Sequence, residues 1–346
     1  MQRNKKILVT RFSAIGDVAM TIPVLYSFAN AYPEVEITFV SQPFLKKLFI
    51  NAPQNLHFLP IDTKGKEKSL TGVLRFFMQL KKQRFDAVLD LHDVLRSKVL
   101  RTAFLLTGTK VYSIDKGREE KKALTAREHK VFKPLKSSFE RYRDVFVQAG
   151  FSFDLNFTSL FHPVAPDLTA ISSHFGTKQG KWIGIAPFAK HAGKIYPLDK
   201  MEQVIKELHA QEDLTLFLFG GGKEELDLFA QWKEEYPRIV IVGKLLQLDQ
   251  ELALMSQLDV MLSMDSANMH FASLTGTPVV SIWGATHPYA GFMGYNQTES
   301  NAVQLDLSCR PCSVFGNIPC FRNDYACLNN IKPGLVIEKI KQVIQK

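Results

Sequence analysis

Apolar residues in this chain gather in short continuous runs instead of alternating with polar ones. The runs over 5–12, 35–41, 56–61, 85–92 and 109–114 read KKILVTRF, VEITFVS, LHFLPI, FDAVLDLH and TKVYSI. Runs of this length with no polar face mark strands of a parallel sheet covered on both sides. Between them apolar positions recur at helical spacing over 17–32, 43–52, 70–83 and 94–108, and a further helix ends over 142–150. The polar, proline-bearing stretch FHPVAPDLTAISSHFGTKQGK then breaks the pattern. Alternation restarts with strands at 182–188, 214–220, 239–243, 259–264 and 277–283 and helices at 198–211, 223–236 and 249–258. An amphipathic helix closes the chain. The expected organisation is an N-terminal domain over 1–160, a linker over 161–180 with room for a short helix, a C-terminal domain over 181–330, and a terminal helix over 331–346. The fold class is α/β, with two Rossmann-like doubly wound domains facing across a cleft and ligands at the carboxyl ends of strands.

Composition narrows the class. At 346 residues, 46% hydrophobic and 22% charged, the chain is long enough for two packed cores. No apolar run reaches the roughly 18 residues of a membrane span. The opening MQRNKKILVTRF runs into a strand without the long apolar segment of a secretory leader, so a cytoplasmic location is expected. Charge is uneven: residues 1–150 carry 27 Lys/Arg and 14 Asp/Glu, and residues 151–346 carry 16 and 20. The basic first half implies an anionic partner. Nucleic acid fits poorly, because no nucleic-acid module and no aromatic-basic interleaving is present.

All four cysteines fall in SCRPCSVFGNIPCFRNDYAC: Cys309, Cys312, Cys320 and Cys327. C-x2-C followed by C-x6-C is compatible with a structural zinc held by four thiolates, although the second spacing is wide. A packed cluster of reduced thiols is the alternative; disulfides are less expected in a reducing compartment.

The stretch DSANMHFASLTG, residues 265–276, follows the buried run DVMLSM and precedes TPVVSIW. Asp265 or Ser266 suits a helix N-cap, and Ser266 and Ala267 are small enough to let backbone N–H groups approach an anion. Three more clusters stand at predicted strand ends: RFSAIGD at 11–17, AKHAGK at 189–194, and GGGKEE at 220–225. Gly16 suits a tight turn, and Asp17 opens a helix, where it serves as a cap or as a base. Lys190, His191 and Lys194 supply three potential cations. Glu224 suits ribose hydroxyls, with Glu225 a rival for that role or a first-turn acid.

Taken in order, these clusters resemble the motifs of glycosyltransferase family 9, the ADP-heptose:lipopolysaccharide heptosyltransferases, over essentially the whole chain. RFSAIGD resembles the family's K-x-S-x-x-G-D, and DLHDVLRSK at 90–98 its D-x-Q-G-x-x-[RK]-S. LFGGGKEE resembles G-x-x-x-E, DSANMH resembles D-[ST]-G-x-x-H, and WGATHP resembles G-x-T-D-P. The resemblance implies a GT-B fold and an inverting enzyme with no catalytic metal, moving heptose from ADP-heptose to an anionic glycolipid at the inner face of the inner membrane. It implies Asp17 as general base and Lys194 as the cation at the leaving diphosphate. Ser13, Gly16, Glu224, Asp265, Ser266, Ala267 and His270 would serve the donor. Arg96, Arg118, Lys121 and Lys122 would meet the acceptor. The chain departs from the pattern at Arg11, Asp93, Tyr196, Ala267 and His287, which bears on the donor sugar and acceptor more than on the reaction type. A UDP-sugar 2-epimerase is the competing enzyme reading, but it leaves the basic first half without a purpose.

Overall fold

The structure, a computed structural model, describes residues 5–345. In chain order the elements begin with β1 (Lys6–Thr10), α1 (Ile15–Ala19), α2 (Ile22–Ala31), β2 (Glu36–Ser41), β3 (Leu56–Pro60) and α3 (Leu70–Lys81). Next come β4 (Ala87–Asp90), α4 (Leu95–Leu105), β5 (Lys110–Ser113), α5 (Arg118–Leu124), α6 (Ser138–Gln148) and α7 (Thr169–Phe175). They continue with β6 (Lys181–Ala186), α8 (Leu198–His209), β7 (Leu214–Leu218), α9 (Lys223–Glu235), β8 (Val240–Ile241) and α10 (Leu248–Met255). The last are β9 (Val260–Met264), α11 (Ala267–Leu274), β10 (Val279–Ile282), β11 (Ala302–Val303), α12 (Ala326–Asn329) and α13 (Pro333–Ile344).

The chain forms two compact units. The first holds the residues up to Lys116 together with Ser138–Leu160. Its five-stranded sheet has the order β3-β2-β1-β4-β5 and is parallel throughout. The second holds Gly117–Ser137 and everything from Phe161 onward. Its six-stranded sheet, β11-β10-β9-β6-β7-β8, is also parallel throughout. Each order reverses once, between β1 and β4 in the first sheet and between β6 and β9 in the second. Connections leave such a point toward opposite faces, which opens a crevice at the carboxyl ends of the two strands.

Burial explains why the strands read as continuous apolar runs. Every residue of β4 and β9 is buried, and α3 and α4 close one face of the first sheet over Leu8, Val40 and Val88. Phe77 of α3 meets Phe104 of α4 edge to face at 5.0 Å, a contact worth about 1 kcal/mol beyond the area it buries. Ser69 caps α3 by accepting the Gly72 N–H at 3.1 Å. In the second unit α8 and α13 press Met201, Val204, Ile337 and Ile340 onto Ile183, Leu216 and Leu262.

Three local expectations are revised. The helix anticipated over 17–32 is two helices, because Pro23 has no N–H to donate and starts α2 afresh. The apolar run at 43–52 is a short 3-10 helix, Pro43–Leu48. Gly16 makes no tight turn: it lies in α1 with no positive φ, so its backbone asks nothing that only glycine can give.

The larger revision concerns 117–137, expected in the first domain. Leu135 N–H donates to Tyr289 O at 2.9 Å, Lys130 Nζ donates to Cys309 O at 3.1 Å and Pro311 O at 2.9 Å, and Phe132 packs on His287 at 5.1 Å. These partners belong to the second unit.

Candidate active site

In the second unit three loops meet beyond the carboxyl ends of β6, β9 and β10. The loop after β6 carries Lys194, whose Nζ lies 2.8 Å from Asp265 Oδ2, just past β9. This ion pair spans the point where the strand order reverses. Lys194 is 15% exposed and Asp265 4%, so Lys194 is not a solvated loop lysine. Its stem is packed: a Cβ on Gly316, whose φ is +74°, would stand 2.6 Å from Lys194 Cγ. Ala285 N–H donates to Gly193 O at 2.8 Å and fixes the loop after β10 to the loop after β6. Of the other two cations in the cluster, Lys190 is exposed and His191 half-buried.

Ser266 is the N-cap of α11, in extended conformation, and its side chain makes no capping bond. Its Oγ lies instead 3.2 Å from Ser263 Oγ. The first-turn N–H groups of α11 are therefore not taken by the cap, and the positive end of the helix dipole stands beside Lys194 and Asp265. Ala267 is the first residue of this helix, half-buried, and His270 is buried one turn on. On the loop after β10 the Thr286 hydroxyl is fully buried, with no hydrogen-bond partner among the described residues.

The loop after β7 separates the two glutamates. Glu225 Oε2 accepts from Gly221 N at 2.8 Å and Gly222 N at 3.1 Å and so closes the start of α9. Glu224 is exposed. The capping role goes to Glu225, and Glu224 is the carboxylate left facing solvent.

In the first unit Arg11 follows β1 and is buried. Its Nη1 donates to Leu91 O at 2.8 Å, and its Nη2 pairs with Asp17 Oδ2 at 2.8 Å. Burial works against the guanidinium charge, but Tyr142 and Asp17 outweigh it and raise the Arg11 pKa. Asp17 sits in the first turn of α1 and also accepts the Ala14 N–H at 3.1 Å, so it is at once a helix cap and a carboxylate held by a buried cation. Its side chain remains 30% exposed. Ser13, half-buried, lies in the turn between β1 and α1.

Beside them, past β4, stands His92, which sequence reasoning did not single out. Phe12 N–H donates to His92 Nδ1 at 3.3 Å, and burial with Arg11 and Lys116 nearby pushes the imidazole pKa down to about 3. The ring is neutral, with its proton on Nε2. Asp90, fully buried, accepts from the backbone N–H groups of His92 and Asp93 and pairs with Arg101 at 2.9 Å. Asp93 replaces the family's glycine at a φ of +47°, a left-handed position that Asp tolerates better than most side chains.

The acceptor-side candidates disperse. Arg96 donates through Nε and Nη2 to Lys68 O at 3.2 and 3.0 Å and ties α4 to the turn before α3. Arg118, Lys121 and Lys122 all lie in the second unit with α5. Lys121 is 9% exposed, with Nζ 4.4 Å from the Phe292 ring centre, so it is a packed residue and not part of an open basic face. Arg118 and Lys122 are exposed.

His287, at the family's Asp position, is turned into its own loop. Its Nδ1 accepts Tyr289 N–H at 3.1 Å, and burial beside Arg310 lowers its pKa to about 4. Tyr196, where the family often has Trp, is a core residue whose hydroxyl donates to Ile331 O at 2.9 Å. Arg310 is a second residue the sequence reading missed. Buried, it donates to Gly284 O, Trp283 O and Thr286 O and so holds the loop that carries Thr286. Its only sequence signal is an arginine between the first two cysteines of the cluster.

The four-thiolate zinc site is not assembled. Among the described residues no group of three or more His, Cys, Asp or Glu is placed to hold a metal, and all four cysteines are free. The wide spacing takes Cys327 onto α12 and into the core, where burial raises its pKa to about 11. Burial raises Cys312 as well. No described helix is long and apolar enough to cross a membrane.

The family model for glycosyltransferase family 9 (heptosyltransferase) matches residues 73–318. The chain is 26% identical over 296 residues to the lipopolysaccharide core heptosyltransferase OpsX of Haemophilus influenzae, covering 82% of this chain and 80% of that protein. It is 22% identical over 343 residues to lipooligosaccharide heptosyltransferase 2 of Campylobacter jejuni, covering 98% and 99%. Among solved structures it matches a family 9 glycosyltransferase from Veillonella parvula with a TM-score of 0.77 at 20% identity, over 100% of this chain and 98% of that one. It matches the Escherichia coli heptosyltransferase WaaC with ADP at a TM-score of 0.69 and 18% identity, over 98% and 99%. The match runs from α3 to beyond β11, through the loops that carry Lys194, Glu224 and Asp265, and on it this chain is a glycosyltransferase that belongs to family 9, the heptosyltransferase family.

Proposed function

We propose that the enzyme transfers heptose from ADP-heptose to the anionic inner core of a lipopolysaccharide, with inversion at the anomeric carbon. The observation that carries the reading is the Lys194–Asp265 pair beside the uncapped start of α11, at the reversal point of the second sheet. A departing diphosphate needs a cation and N–H donors, and both are fixed there by packed loops. Asp265, which can only accept hydrogen bonds when ionised, suits a sugar hydroxyl better than a phosphate. Glu224 suits the ribose hydroxyls.

On the acceptor, Asp17 is the base. The acceptor oxygen bonds to the anomeric carbon, its proton passes to the Asp17 carboxylate, and the bond from that carbon to the diphosphate oxygen breaks. ADP leaves with its new charge facing Lys194 and the α11 N–H groups, so the charge is met by the chain itself. Arg11 pairs with the Asp17 carboxylate at 2.8 Å and orients it. WaaC, solved with ADP, supports the choice of nucleotide for a chain of this fold.

The test is nucleotide release. Purified enzyme with core acceptor should liberate ADP from ADP-heptose and add one heptose by mass, without loss on chelation by EDTA. Turnover of UDP-sugars without acceptor, and none of ADP-heptose, would replace this reading with the epimerase one.

A further inference from the structure

Helices α3 and α4 of the first unit turn an apolar face to solvent. Their inner faces share one core, to which α3 gives Val73, Phe76 and Phe77 and α4 gives Leu100 and Phe104. Both helices therefore present their outer faces on the same side of the first sheet. Those outer faces carry Leu74 (45% exposed), Met78 (59%), Leu95 (67%), Leu105 (60%) and Leu106 (83%). A single exposed leucine is ordinary, but Leu74 and Met78, one turn apart on α3, and Leu105 and Leu106 at the end of the helix packed against it expose several apolar side chains on one side of the sheet, which marks an interaction surface.

The charge beside the patch is predominantly basic. Neither helix contains an Asp or Glu. Residues 64–84 hold seven Lys/Arg and one Glu, whereas on α4 Lys98 pairs with Asp93 and Arg101 with Asp90 and Asp93, so the excess positive charge lies along the α3 flank. A merely solvated helix carries both signs, as α9 does with KEELDLFAQWKEE. An apolar stripe with basic flanks has the chemistry of a surface that lies on anionic headgroups, with leucine tips at the acyl boundary and cations on phosphates. A second copy is a poorer occupant, since pairing this face with itself sets like charges together.

We propose that the α3–α4 face docks the enzyme peripherally on an anionic lipid bilayer. This deepens the reading of the acceptor as a lipid-anchored glycan. It also moves the membrane contact away from residues 117–137, which pack into the second unit.

The experiment is sedimentation of the full chain with vesicles of phosphatidylcholine alone and of equal parts phosphatidylcholine and phosphatidylglycerol, without donor or acceptor. The wild type should pellet with the anionic vesicles and be released as salt rises. Leu74→Ser/Met78→Ser/Leu106→Ser should bind at least about tenfold more weakly. The three side chains are exposed, so its thermal unfolding should match the wild type. Lys81→Gln/Lys82→Gln is the second variant, weakened on anionic vesicles only. ADP release with a deacylated, water-soluble acceptor should be unchanged in both variants, which separates this inference from the proposed reaction. Equal binding of wild type and triple variant, or binding indifferent to lipid charge and salt, overturns it. So does a lipid-free dimer that the triple variant dissolves while vesicle binding persists.

Discussion

Replacing Lys194 by methionine keeps the aliphatic stem that packs against Gly316 and removes only the charge. Two consequences follow from the geometry, and they are separable. First, Asp265, 4% exposed, loses a cation at 2.8 Å. With an effective dielectric constant near 20 the gross attraction at that distance is about 6 kcal/mol, much of it offset by desolvation. Removing one partner of a buried pair typically costs about 3–5 kcal/mol, because the other charge stays behind. Urea unfolding should therefore show a loss of about 3 kcal/mol in Lys194→Met and recovery of most of it in Lys194→Met/Asp265→Asn. Second, the leaving diphosphate loses its cation, which should lower kcat/KM for ADP-heptose by about 10²–10³. Folding rescue by the second substitution should bring no catalytic rescue, and a continuous assay of ADP release measures this. A Lys194→Met enzyme with wild-type kcat/KM, or a double variant that regains activity with its stability, would falsify the assignment and leave Lys194 as the structural partner of Asp265.

Asp17→Asn should reduce transfer by about 10²–10⁴ while leaving ADP affinity by calorimetry unchanged, since the proposed nucleotide residues lie in the second unit; weakened ADP binding would count against a base role. Glu224→Ala should raise the KM for donor with stability intact, whereas Glu225→Ala should lower stability by about 1 kcal/mol through loss of its two bonds at the start of α9, and interchanged effects would reverse the two roles. His92 titrates near 3 in the fold against about 6.5 when unfolded, so the unfolded chain binds the extra proton between these values. Its contribution is fully present above pH 6.5 and fades as pH falls toward 3, by up to about 2 kcal/mol between pH 6.5 and 5. His92→Gln should flatten the fall in melting temperature over that range, and an unchanged slope would remove His92 from the acid response.

Alternation and burial were legible because they are local. Continuous apolar runs identified the parallel strands, and the residues after β6, β7 and β9 fell where ligands bind in such sheets. What the chain could not disclose is which distant loops touch. Lys194 and Asp265 were both candidates, yet nothing in their spacing says that they pair. His92 meets Phe12 only because β4 lies beside β1, a neighbour relation that skips two strands. Gly16 misled because glycine suggests a special backbone angle, whereas this one is helical. The cysteine spacing alone leaves the metal reading unconfirmed: Cys327 lies in the core on α12, and among the described residues no group of three or more ligands is placed to hold a metal.

The basic surface shows how one such contact changes a functional argument. Divided at residue 150, the chain looks sharply polarised. Residues 117–137 hold seven Lys/Arg and three Asp/Glu, and they pack into the second unit. Counted by unit, the first carries 20 Lys/Arg against 12 Asp/Glu and the second 23 against 22. The excess of the first unit is then about eight charges, and the stretches around α3 and α4 account for more than all of it. The segment that looked most basic is partly consumed inside the second unit, since Lys121 lies over Phe292 and Lys130 is bonded to two carbonyls. On the proposed docking, an anionic surface drawn by the first unit meets the α3 side first, where Lys81 and Lys82 are exposed, whereas on α4 Lys98 and Arg101 are paired with Asp93 and Asp90. A field of several like charges on one face steers association and weakens with ionic strength, so the salt dependence of capture by an anionic surface should follow substitutions on these two helices and ignore those at Lys121.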